Sequence, residues 1–549
     1  MVVSFNKKRH DKAMKTRKIW ASIAFESVYG FASRLIMIPL FQFLFLGILR
    51  LAGFAYITNK NLLSFLSSPI AIVSLSGFAL LVSAYALVNI IALLGIWNGE
   101  YRSINLNSIF SFVFKKIKRL FSFKNIGIVF WVLLVVPFFH LGLISEVITK
   151  VRIPPYWLET LQTIWWAKLL LVLGIVLIVG SFLKTVFVFH FFFLKEVSFF
   201  RALQESWRLA RHRLFILGGS LLGIQLLYSL TLEVFFRTLP LRLDWFGFIC
   251  LAAFFSSLIV PINYALLSYW YQKWENDRVV VLWKKESGFQ KLVYCVFFLG
   301  CVVGYGVHTQ SLFSWRPIEI IAHRGDSLHH TENTLAAFEG ANVLGADAIE
   351  LDVRQSKDGV LVVSHDSSFK RLSGDSRKIK EMTSKEIEEI RLGKEKVATL
   401  KETLALAKKK RLFLILEIKP KGNNEGLVRS LVKMIRDYDF EDECMVTSFN
   451  TKELEMVKKL DKKIETLALF TFAYGDVASI PYVDAFSVEE STITPELVRS
   501  IHAAGKKIFA WTPSTQPNIE RMVRLGVDGL ITDQIELTQK IRREWNALF

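Results

Sequence analysis

The residues of this chain with the most evident chemistry are concentrated between positions 318 and 366. Three short apolar runs, at 318–323, 348–353 and 360–366, are each predicted to form a buried strand with polar residues at its C-terminal end. We interpret these strand ends as one site, because a solvated surface would not need the apolar runs. The ionisable residues there are His323, Arg324, Glu332, Glu350, Asp352, His365 and Asp366.

Acidic residues in this stretch are spaced for metal binding. Glu350 and Asp352 stand two residues apart on a predicted strand, so their side chains point to the same face. Glu417 ends another apolar run, and Lys419 points the same way two residues later. Converging carboxylates repel one another unless a cation lies between them, and oxygen ligands favour Mg²⁺ or Ca²⁺ over zinc. A salt-bridged strand end would explain Glu350 and Asp352 alone, but Glu417 and Lys419 in the same register favour a metal site.

Two histidines and two basic residues complete the pattern. A lone histidine at a strand end is more often structural or a metal ligand, but His323 and His365 flank the carboxylates and are predicted to act as acid and base. Arg324 and Lys419 provide positive charge suited to a phosphate group. The set predicts metal-assisted attack on a phosphodiester. Carbohydrate hydrolysis would need only the carboxylates and would leave the basic residues without a role.

The elements that must position these residues are predicted from residue 316 onward. Residues 316–549 have the length of one (β/α)8 barrel, and apolar strands alternate with helices throughout them. The functional residues fall at the C-terminal ends of the strands, which is where barrel enzymes have their active sites. We therefore predict an α/β TIM barrel.

The first half of the chain has a different composition. Hydrophobic residues make up 52% of the sequence, and most of the excess lies before residue 310, where long apolar runs approach the length of a membrane span. An all-α, multi-pass membrane domain is predicted for 1–310, followed by the barrel at 316–549. The seven predicted spans are 30–57, 70–97, 126–146, 169–194, 214–235, 246–270 and 291–308.

Basic residues predict the orientation in the membrane. Lys and Arg number 23 in the N-terminal tail and in the loops 98–125, 195–213 and 273–291, against six in the alternate loops. Positive charge is retained inside, so the N-terminus is predicted to be cytoplasmic and the barrel, after seven crossings, extracellular. The same placement explains most of the net charge of +19 without nucleic-acid binding. Two basic, aromatic loops, 106–123 and 199–215, are interpreted equally well as headgroup-layer helices or as ordinary positive-inside loops.

The ordered motifs of 318–533 resemble the glycerophosphodiester phosphodiesterase family. The resemblance rests on the following residues: HRG at 323–325, ENT at 332–334, the acidic strand 345–353, KDG at 357–359, HD at 365–366, Glu417 with Lys419, SF at 448–449, Trp511, and VDG-ITD at 527–533. Thr331 and Ala398 stand where the family often has proline, and WTPS at 511–514 replaces the common WTVN. The first half is similar to the membrane domain of some bacterial members.

The resemblance implies a TIM barrel, a divalent cation and hydrolysis of glycerophosphodiesters to glycerol 3-phosphate and an alcohol. By position, it implies that His323 and His365 are the acid/base pair and that Glu350, Asp352 and Glu417 bind the metal. It also implies that Arg324 and Lys419 bind the phosphate and that Trp511 lines the pocket wall. Glu332 and Asp533 are expected to support the first and last loops.

We therefore expect a membrane-bound, metal-dependent phosphodiesterase. Its expected substrate lies at the bilayer surface, either a deacylated lipid headgroup or a poly-glycerophosphate polymer. Two alternatives stay open. One is a phospholipase that acts on intact lipid headgroups, and the other is a lipid or polymer transporter in which the barrel is a binding module.

Overall fold

A computed structural model describes residues 18–30, 32–98, 106–125, 127–135, 165–238, 245–275, 316–419 and 424–547, with isolated positions between 296 and 303. The chain forms two compact units. One comprises Met1–Ala52 and Ser67–Ser311, and the other comprises Gly53–Leu66 and Leu312–Phe549.

The first unit is helical. Three of its described helices are long and apolar enough to cross a membrane: Pro69–Asn98, Lys168–Phe193 and Leu214–Thr231. Along Trp165–Thr185 the large apolar side chains are mostly exposed, as expected for a helix that faces lipid. The helical elements of this unit are Ser33–Met37, a π-helix, and the α-helices Ile38–Leu51, Pro69–Asn98, Leu106–Ile117, Gly127–Val135, Trp165–Thr185, Val188–Phe193, Phe199–Ala210, Leu214–Thr238 and Trp245–Glu275.

Helices cover four of the predicted spans, 70–97, 169–194, 214–235 and 246–270, almost completely. The predicted span 30–57 is wrong at its C-terminal end. The helix there ends at Leu51, and Tyr56–Thr58 is a β-strand, because the chain after Gly53 belongs to the second unit, where Ile57 and Phe65 are buried. The later part of span 126–146 and nearly all of 291–308 lie outside the described residues.

The second unit confirms the predicted TIM barrel. Eight parallel strands close on themselves, and each pairs with its neighbours in the order in which they occur along the chain. We number them β1 (Glu319–His323), β2 (Ala348–Gln355), β3 (Phe413–Ile418), β4 (Cys444–Ser448), β5 (Glu465–Phe470), β6 (Ala485–Glu489), β7 (Lys507–Trp511) and β8 (Gly529–Thr532).

Seven helices surround the strands. Threonine hydroxyls cap the starts of several of them, as Thr334 does for the first helix and Thr399 for the second. The seven are α1 (Leu335–Val343), α2 (Leu400–Lys410), α3 (Glu425–Asp437), α4 (Thr451–Leu460), α5 (Pro495–Ala503), α6 (Gln516–Leu525) and α7 (Ile535–Asn546). Between β5 and β6 the described residues 471–484 form no α-helix, only the strand Ala473–Gly475 and the 3-10 turn Val477–Ser479.

An insertion separates β2 from α2. The strand Leu361–Val363 pairs antiparallel with β2, and short elements follow it: Lys370–Ser373, Ile379–Glu381, Ser384–Glu388, Arg391–Leu392 and Glu395–Lys396. Val362, Phe369, Ile379, Met382 and Leu392 are among the side chains of a small apolar core that holds this insertion together.

Side chains that alternate along the strands divide the barrel into two cores. Ile320, Leu351 and Leu416 are among the strand residues that pack under the helices in the outer core, whereas one residue of each strand fills the lumen. The lumen residues are Ile321, Ala348, Ile415, Met445, Leu467, Ala485, Phe509 and Ile531. Because successive inward residues are two apart, the next inward positions toward the C-terminal mouth include His323, Glu350, Glu417, Trp511 and Asp533.

Candidate active site

Three carboxylates converge at the mouth of the barrel. Glu350, Asp352 and Glu417 are buried, and each offers an oxygen atom within 4.8 Å of the others. β2 and β3 bring them together, since Asp352 and Glu417 are partners in the parallel ladder. Three oxygen donors at this spacing fit a divalent cation such as Mg²⁺ or Ca²⁺.

Lys419 lies among these carboxylates. Its Nζ atom is 2.7 Å from Oε1 of Glu417 and 2.8 Å from Oδ1 of Asp352. Burial disfavours the ammonium, but the surrounding carboxylates outweigh burial and raise the pKa of Lys419. Lys419 is therefore charged and hydrogen-bonded at the centre of the acidic group.

The remaining negative charge at this mouth is not fully balanced. Burial, followed by the charges of Asp352 and Glu417, raises the pKa of Glu350 well above its usual value. Burial also raises the pKa of Glu417, whereas Lys419 and Arg324 overcome burial and lower that of Asp352. A carboxyl group whose pKa is raised by burial and by two neighbouring carboxylates indicates an excess of negative charge, which a bound cation would neutralise.

Arg324 enters the site from the turn after β1. Its φ of +60° and that of Gly325, +83°, are left-handed, and this turn brings the Arg324 backbone N–H to 3.2 Å from Oε2 of Glu350. The guanidinium donates to Oε1 of Glu332 at 3.0 Å, and its Nε lies 3.4 Å from Oδ2 of Asp352. Glu332 thus contacts Arg324 in the first loop.

Each histidine is held by a carboxylate through Nδ1. Nδ1 of His323 lies 2.8 Å from Oδ1 of Asp533, and Nδ1 of His365 lies 2.9 Å from Oδ1 of Asp366. Despite burial, hydrogen bonding from His323 lowers the pKa of Asp533, so this carboxylate is ionised and only accepts. Both rings therefore carry a proton on Nδ1, and Nε2 of each is available for proton transfer.

His365 is neutral near pH 7. Burial, together with the charges of Lys419 and Arg324, lowers its pKa to about 4. A neutral imidazole with its Nδ1 proton fixed by Asp366 can accept a proton at Nε2.

A bridging arginine that the sequence reasoning did not select links the two sides of the site. Arg371 donates from Nη2 to Oε1 of Glu332 at 2.6 Å and from Nε to Oδ2 of Asp366 at 2.8 Å. A continuous chain of hydrogen bonds and ion pairs therefore runs from neutral His365 through Asp366, Arg371 and Glu332 to Arg324. The sequence signal was its position five residues after Asp366, in the insertion that carries His365.

Asn333 and Phe449 were also not selected as site residues, whereas Trp511 was. Asn333 donates from Nδ2 to Oδ2 of Asp352 at 2.7 Å and thereby fixes the orientation of that carboxylate. Its place beside Glu332 in the ENT motif was the available signal. The ring of Phe449 packs edge-on against Trp511 with 5.8 Å between centroids. The buried Nε1 of Trp511 has no hydrogen-bond partner among the described residues, which leaves this donor for a ligand.

The structure therefore joins most of the predicted residues in contacting groups. Arg324, Glu332, Glu350, Asp352, Glu417 and Lys419 form one cluster, to which Asp366 and Arg371 connect His365. His323, at the end of β1, and Asp533, directly after β8, form a pair. Trp511 ends β7 and is placed at the mouth by the register of the strand.

Comparisons with known proteins identify glycerophosphoryl diester phosphodiesterase profiles in both halves of the chain. The profile of the glycerophosphoryl diester phosphodiesterase family matches residues 323–537, and that of the membrane domain of glycerophosphoryl diester phosphodiesterase matches 14–271. A glycerophosphodiester phosphodiesterase of Caldanaerobacter subterraneus is 37% identical over 40% of this chain and 94% of its own length. One from Bacillus altitudinis is 32% identical over 41% of this chain and 98% of its own.

Solved structures are similar as well. A glycerophosphodiester phosphodiesterase of Thermotoga maritima is 30% identical, covers 42% of this chain and 100% of its own, and has a TM-score of 0.35. A phosphodiesterase of Oleispira antarctica, in complex with the product sn-glycerol-3-phosphate, is 25% identical, covers 42% and 97% of the two chains, and has a TM-score of 0.38.

Proposed function

The chain belongs to the glycerophosphoryl diester phosphodiesterase family, and we propose that its barrel hydrolyses glycerophosphodiesters to glycerol 3-phosphate and an alcohol. The observation that carries this proposal is the cluster of three buried carboxylates in direct contact with two permanent cations, Arg324 and Lys419. Cations within an acidic group have no role in hydrolysing an uncharged substrate, but they suit a phosphodiester anion.

A divalent cation is proposed to be held by Glu350, Asp352 and Glu417. The raised pKa of Glu350 supports this assignment, because it indicates negative charge in excess of what Lys419 and Arg324 balance. When bound, such an ion would supply Lewis-acid neutralisation of the phosphate charge. Asn333 and Lys419 hold two of its ligands in orientation, which is the usual role of residues hydrogen-bonded to metal ligands.

Arg324 and Lys419 are proposed to bind the phosphate. The guanidinium of Arg324 is fixed by Glu332, so little side-chain freedom is lost when an anion binds to its remaining N–H groups. Lys419 presents a compact charge from the floor of the site.

The histidines are proposed to transfer the protons. His365 is neutral and accepts the proton of the attacking hydroxyl at Nε2, while a P–O bond forms and the P–O bond to the alcohol breaks. His323, oriented through Nδ1 by the Asp533 carboxylate, donates a proton from Nε2 to the departing alkoxide oxygen. The attacking hydroxyl is either water or the glycerol hydroxyl of the substrate, and in the second case water then opens a cyclic phosphate.

The substrate is proposed to lie at the membrane surface. The membrane-domain profile and the exposed apolar helices support a membrane protein. We propose a multi-pass topology with a cytoplasmic N-terminus and an extracellular barrel, acting on deacylated lipid headgroups or on a poly-glycerophosphate. Trp511 and Phe449 would form the pocket wall beside the organic part of the substrate.

A substrate panel tests this proposal. Full-length protein in detergent is incubated with glycerophosphodiesters that differ in their alcohol, with a poly-glycerophosphate and with intact phospholipid, with and without chelator. We expect glycerol 3-phosphate from at least one glycerophosphodiester, loss of the activity with chelator, and recovery with Mg²⁺ or Ca²⁺.

Matched variants identify the site. Glu350→Gln is expected to lower kcat/KM by about 10² or more, because it removes one of three metal-binding carboxylates. Glu339→Gln, an exposed position on α1, is the control and is expected to keep full activity. Release of phosphatidic acid from intact lipid alone would favour a phospholipase, and cation binding without turnover of any diester would favour a binding module.

A further inference from the structure

A short segment from the first half of the chain is a folded part of the barrel unit. Gly53–Leu66 groups with Leu312–Phe549 in one compact unit, although it lies in sequence between two apolar helices that end at Leu51 and begin at Pro69. Its strand Tyr56–Thr58 pairs antiparallel with Ala473–Gly475, and the N–H of Asp476 donates to the carbonyl of Ala55 at 3.0 Å.

The strand Ala473–Gly475 belongs to the connection between β5 and β6, which differs from the other connections of the barrel. The described residues 471–484 contain no α-helix to cover the outer core there. Val477, Ile480 and Val483 of this connection are nevertheless buried in that core, and α5 packs against part of the connection. Tyr56 packs against the same core.

The segment has internal structure of its own. Asn61 closes a turn, since its Oδ1 accepts from the N–H of Thr58 at 2.8 Å and its Nδ2 donates to the carbonyl of Tyr56 at 2.9 Å. A short helix, Leu62–Leu66, follows, and the ring of Phe65 packs edge-on against Phe54 with 5.5 Å between centroids. Ile57 and Phe65 are only 6% and 1% exposed, whereas Leu63 is 81% exposed.

We infer that Gly53–Leu66 is a structural component of the catalytic barrel and takes the place of the helix that the β5–β6 connection lacks. Strand addition satisfies the edge of Ala473–Gly475, and the apolar side of the segment shields the core. The connection begins directly after β5 at the mouth, where the carbonyl of Thr471 accepts from the hydroxyl of Thr492 at 3.0 Å. The segment therefore pairs with a connection that leaves β5 at the active-site face.

A disulfide between the paired strands tests the inference in the full-length protein. Thr58 and Ala473 are register partners, and the α-carbon spacing across an antiparallel pair, about 4.5–5.5 Å, suits a disulfide. The two variants are made in a cysteine-free background with a protease site inserted after Thr309. After cleavage, the two fragments of oxidised Thr58→Cys/Ala473→Cys protein are expected to migrate as one species under denaturing conditions and to separate on reduction. Leu63→Cys/Ala473→Cys is the control and is expected to separate without reductant. Separation of the first pair under oxidising conditions would overturn the inference.

A pair of substitutions tests the energetic role without cross-linking. Ile57→Asp places a charge at a buried position of the segment, and Leu63→Asp places the same charge at an exposed one. Ile57→Asp is expected to lower the thermal midpoint of phosphodiesterase inactivation by about 5 °C or more. It is also expected to speed hydrogen exchange at residues 473–476 about tenfold or more. Leu63→Asp is expected to change neither. Equal effects of the two variants, or unchanged exchange in Ile57→Asp, would contradict a barrel-completing role.

Discussion

At the scale of single residues, the site depends on how charge is balanced in a buried space. Three carboxylates share the mouth with Lys419 and Arg324, and every one of these groups is hydrogen-bonded or ion-paired to another. Loss of one partner from this group would destabilise the fold, because an uncompensated buried charge lowers the free energy of unfolding by several kcal/mol. The same charges govern the acid–base behaviour of His365.

The pH dependence of the reaction follows from the environment of His365. Its pKa is lowered to about 4 by burial and then by Lys419 and Arg324. The base must be neutral, so its active form is present above that pH and lost below it. We expect kcat/KM of the full-length enzyme to fall on the acid side with a midpoint close to pH 4, about two units below that of an exposed histidine.

The control is His365→Asn, which should lose most activity at every pH and show no acid midpoint. A wild-type midpoint near pH 6.5 would mean that His365 is solvated and would contradict the assignment of this residue as the buried base.

Arg371 is predicted to be a positioning residue for the same histidine. It holds Asp366, which orients His365, and also Glu332, which orients Arg324. Arg371→Gln is expected to lower kcat by about tenfold and to move the acid midpoint of kcat/KM upward, because a cation that disfavours the imidazolium is removed. Arg371→Lys keeps the charge, so its acid midpoint is expected to lie closer to that of the wild type. It does not restore the contacts of the guanidinium with both Asp366 and Glu332.

Arg377→Gln is the matched control, since Arg377 lies in the same insertion and its ion pairs among the described residues are with Asp375 and Glu386, which are not site residues. We expect unchanged kcat and an unchanged pH profile. The same loss in both variants would show that Arg371 serves only the stability of the insertion.

At the scale of elements, the turn after β1 is the most constrained feature of the site. Arg324 and Gly325 both have left-handed backbones there. A Cβ atom on Gly325 would lie 2.7 Å from the backbone of Ala337 in α1, so turn and helix are in direct contact. This packing brings the Arg324 N–H to Glu350 and its side chain to Asp352.

Gly325→Ala is therefore expected to displace the turn. Gly374→Ala provides the control, because Gly374 has nearly the same φ, +84°, and nothing within 4 Å of an added Cβ. We expect Gly374→Ala to cost about 1–2 kcal/mol of unfolding free energy, the penalty for a left-handed alanine, with full activity. Gly325→Ala should cost more than about 3 kcal/mol and abolish turnover, measured by thermal unfolding and diester hydrolysis. Equal stability losses in Gly325→Ala and Gly374→Ala would mean that the turn after β1 can accommodate the added methyl group.

At the scale of the whole molecule, the segment Gly53–Leu66 bears on the orientation of the protein in the membrane. The count of basic residues predicts that this segment lies on the side opposite the N-terminus, and the segment belongs to the barrel unit. A folded unit lies on one side of a bilayer, so the first loop and the barrel are predicted to share a side. This prediction assumes only that the chain crosses the membrane once between the N-terminal tail and Gly53–Leu66, and it does not depend on the total number of spans.

Labelling of single cysteines measures the orientation. In a cysteine-free background, a membrane-impermeant maleimide applied to intact cells is expected to label Leu63→Cys and Lys401→Cys, both of which are exposed. Lys12→Cys, in the N-terminal tail, should react only after lysis. Reaction of Lys12→Cys alone would reverse the proposed orientation, and different behaviour of the first two would contradict the grouping of segment and barrel.

By itself the sequence determined the two-part organisation, the barrel and nearly all residues that meet at its mouth. It could do so because these depend on local periodicity: in a closed parallel sheet, inward residues at strand ends converge whatever the connections are. Only the tertiary structure decided the bridging role of Arg371, the contact of Asn333 with Asp352, and the end of the first apolar helix at Leu51. The pairing of Tyr56–Thr58 with Ala473–Gly475 joins residues hundreds of positions apart. A short apolar strand beside an apolar helix has the same composition as the helix itself, so its burial against a distant, helix-free edge of the barrel is not encoded in any local pattern.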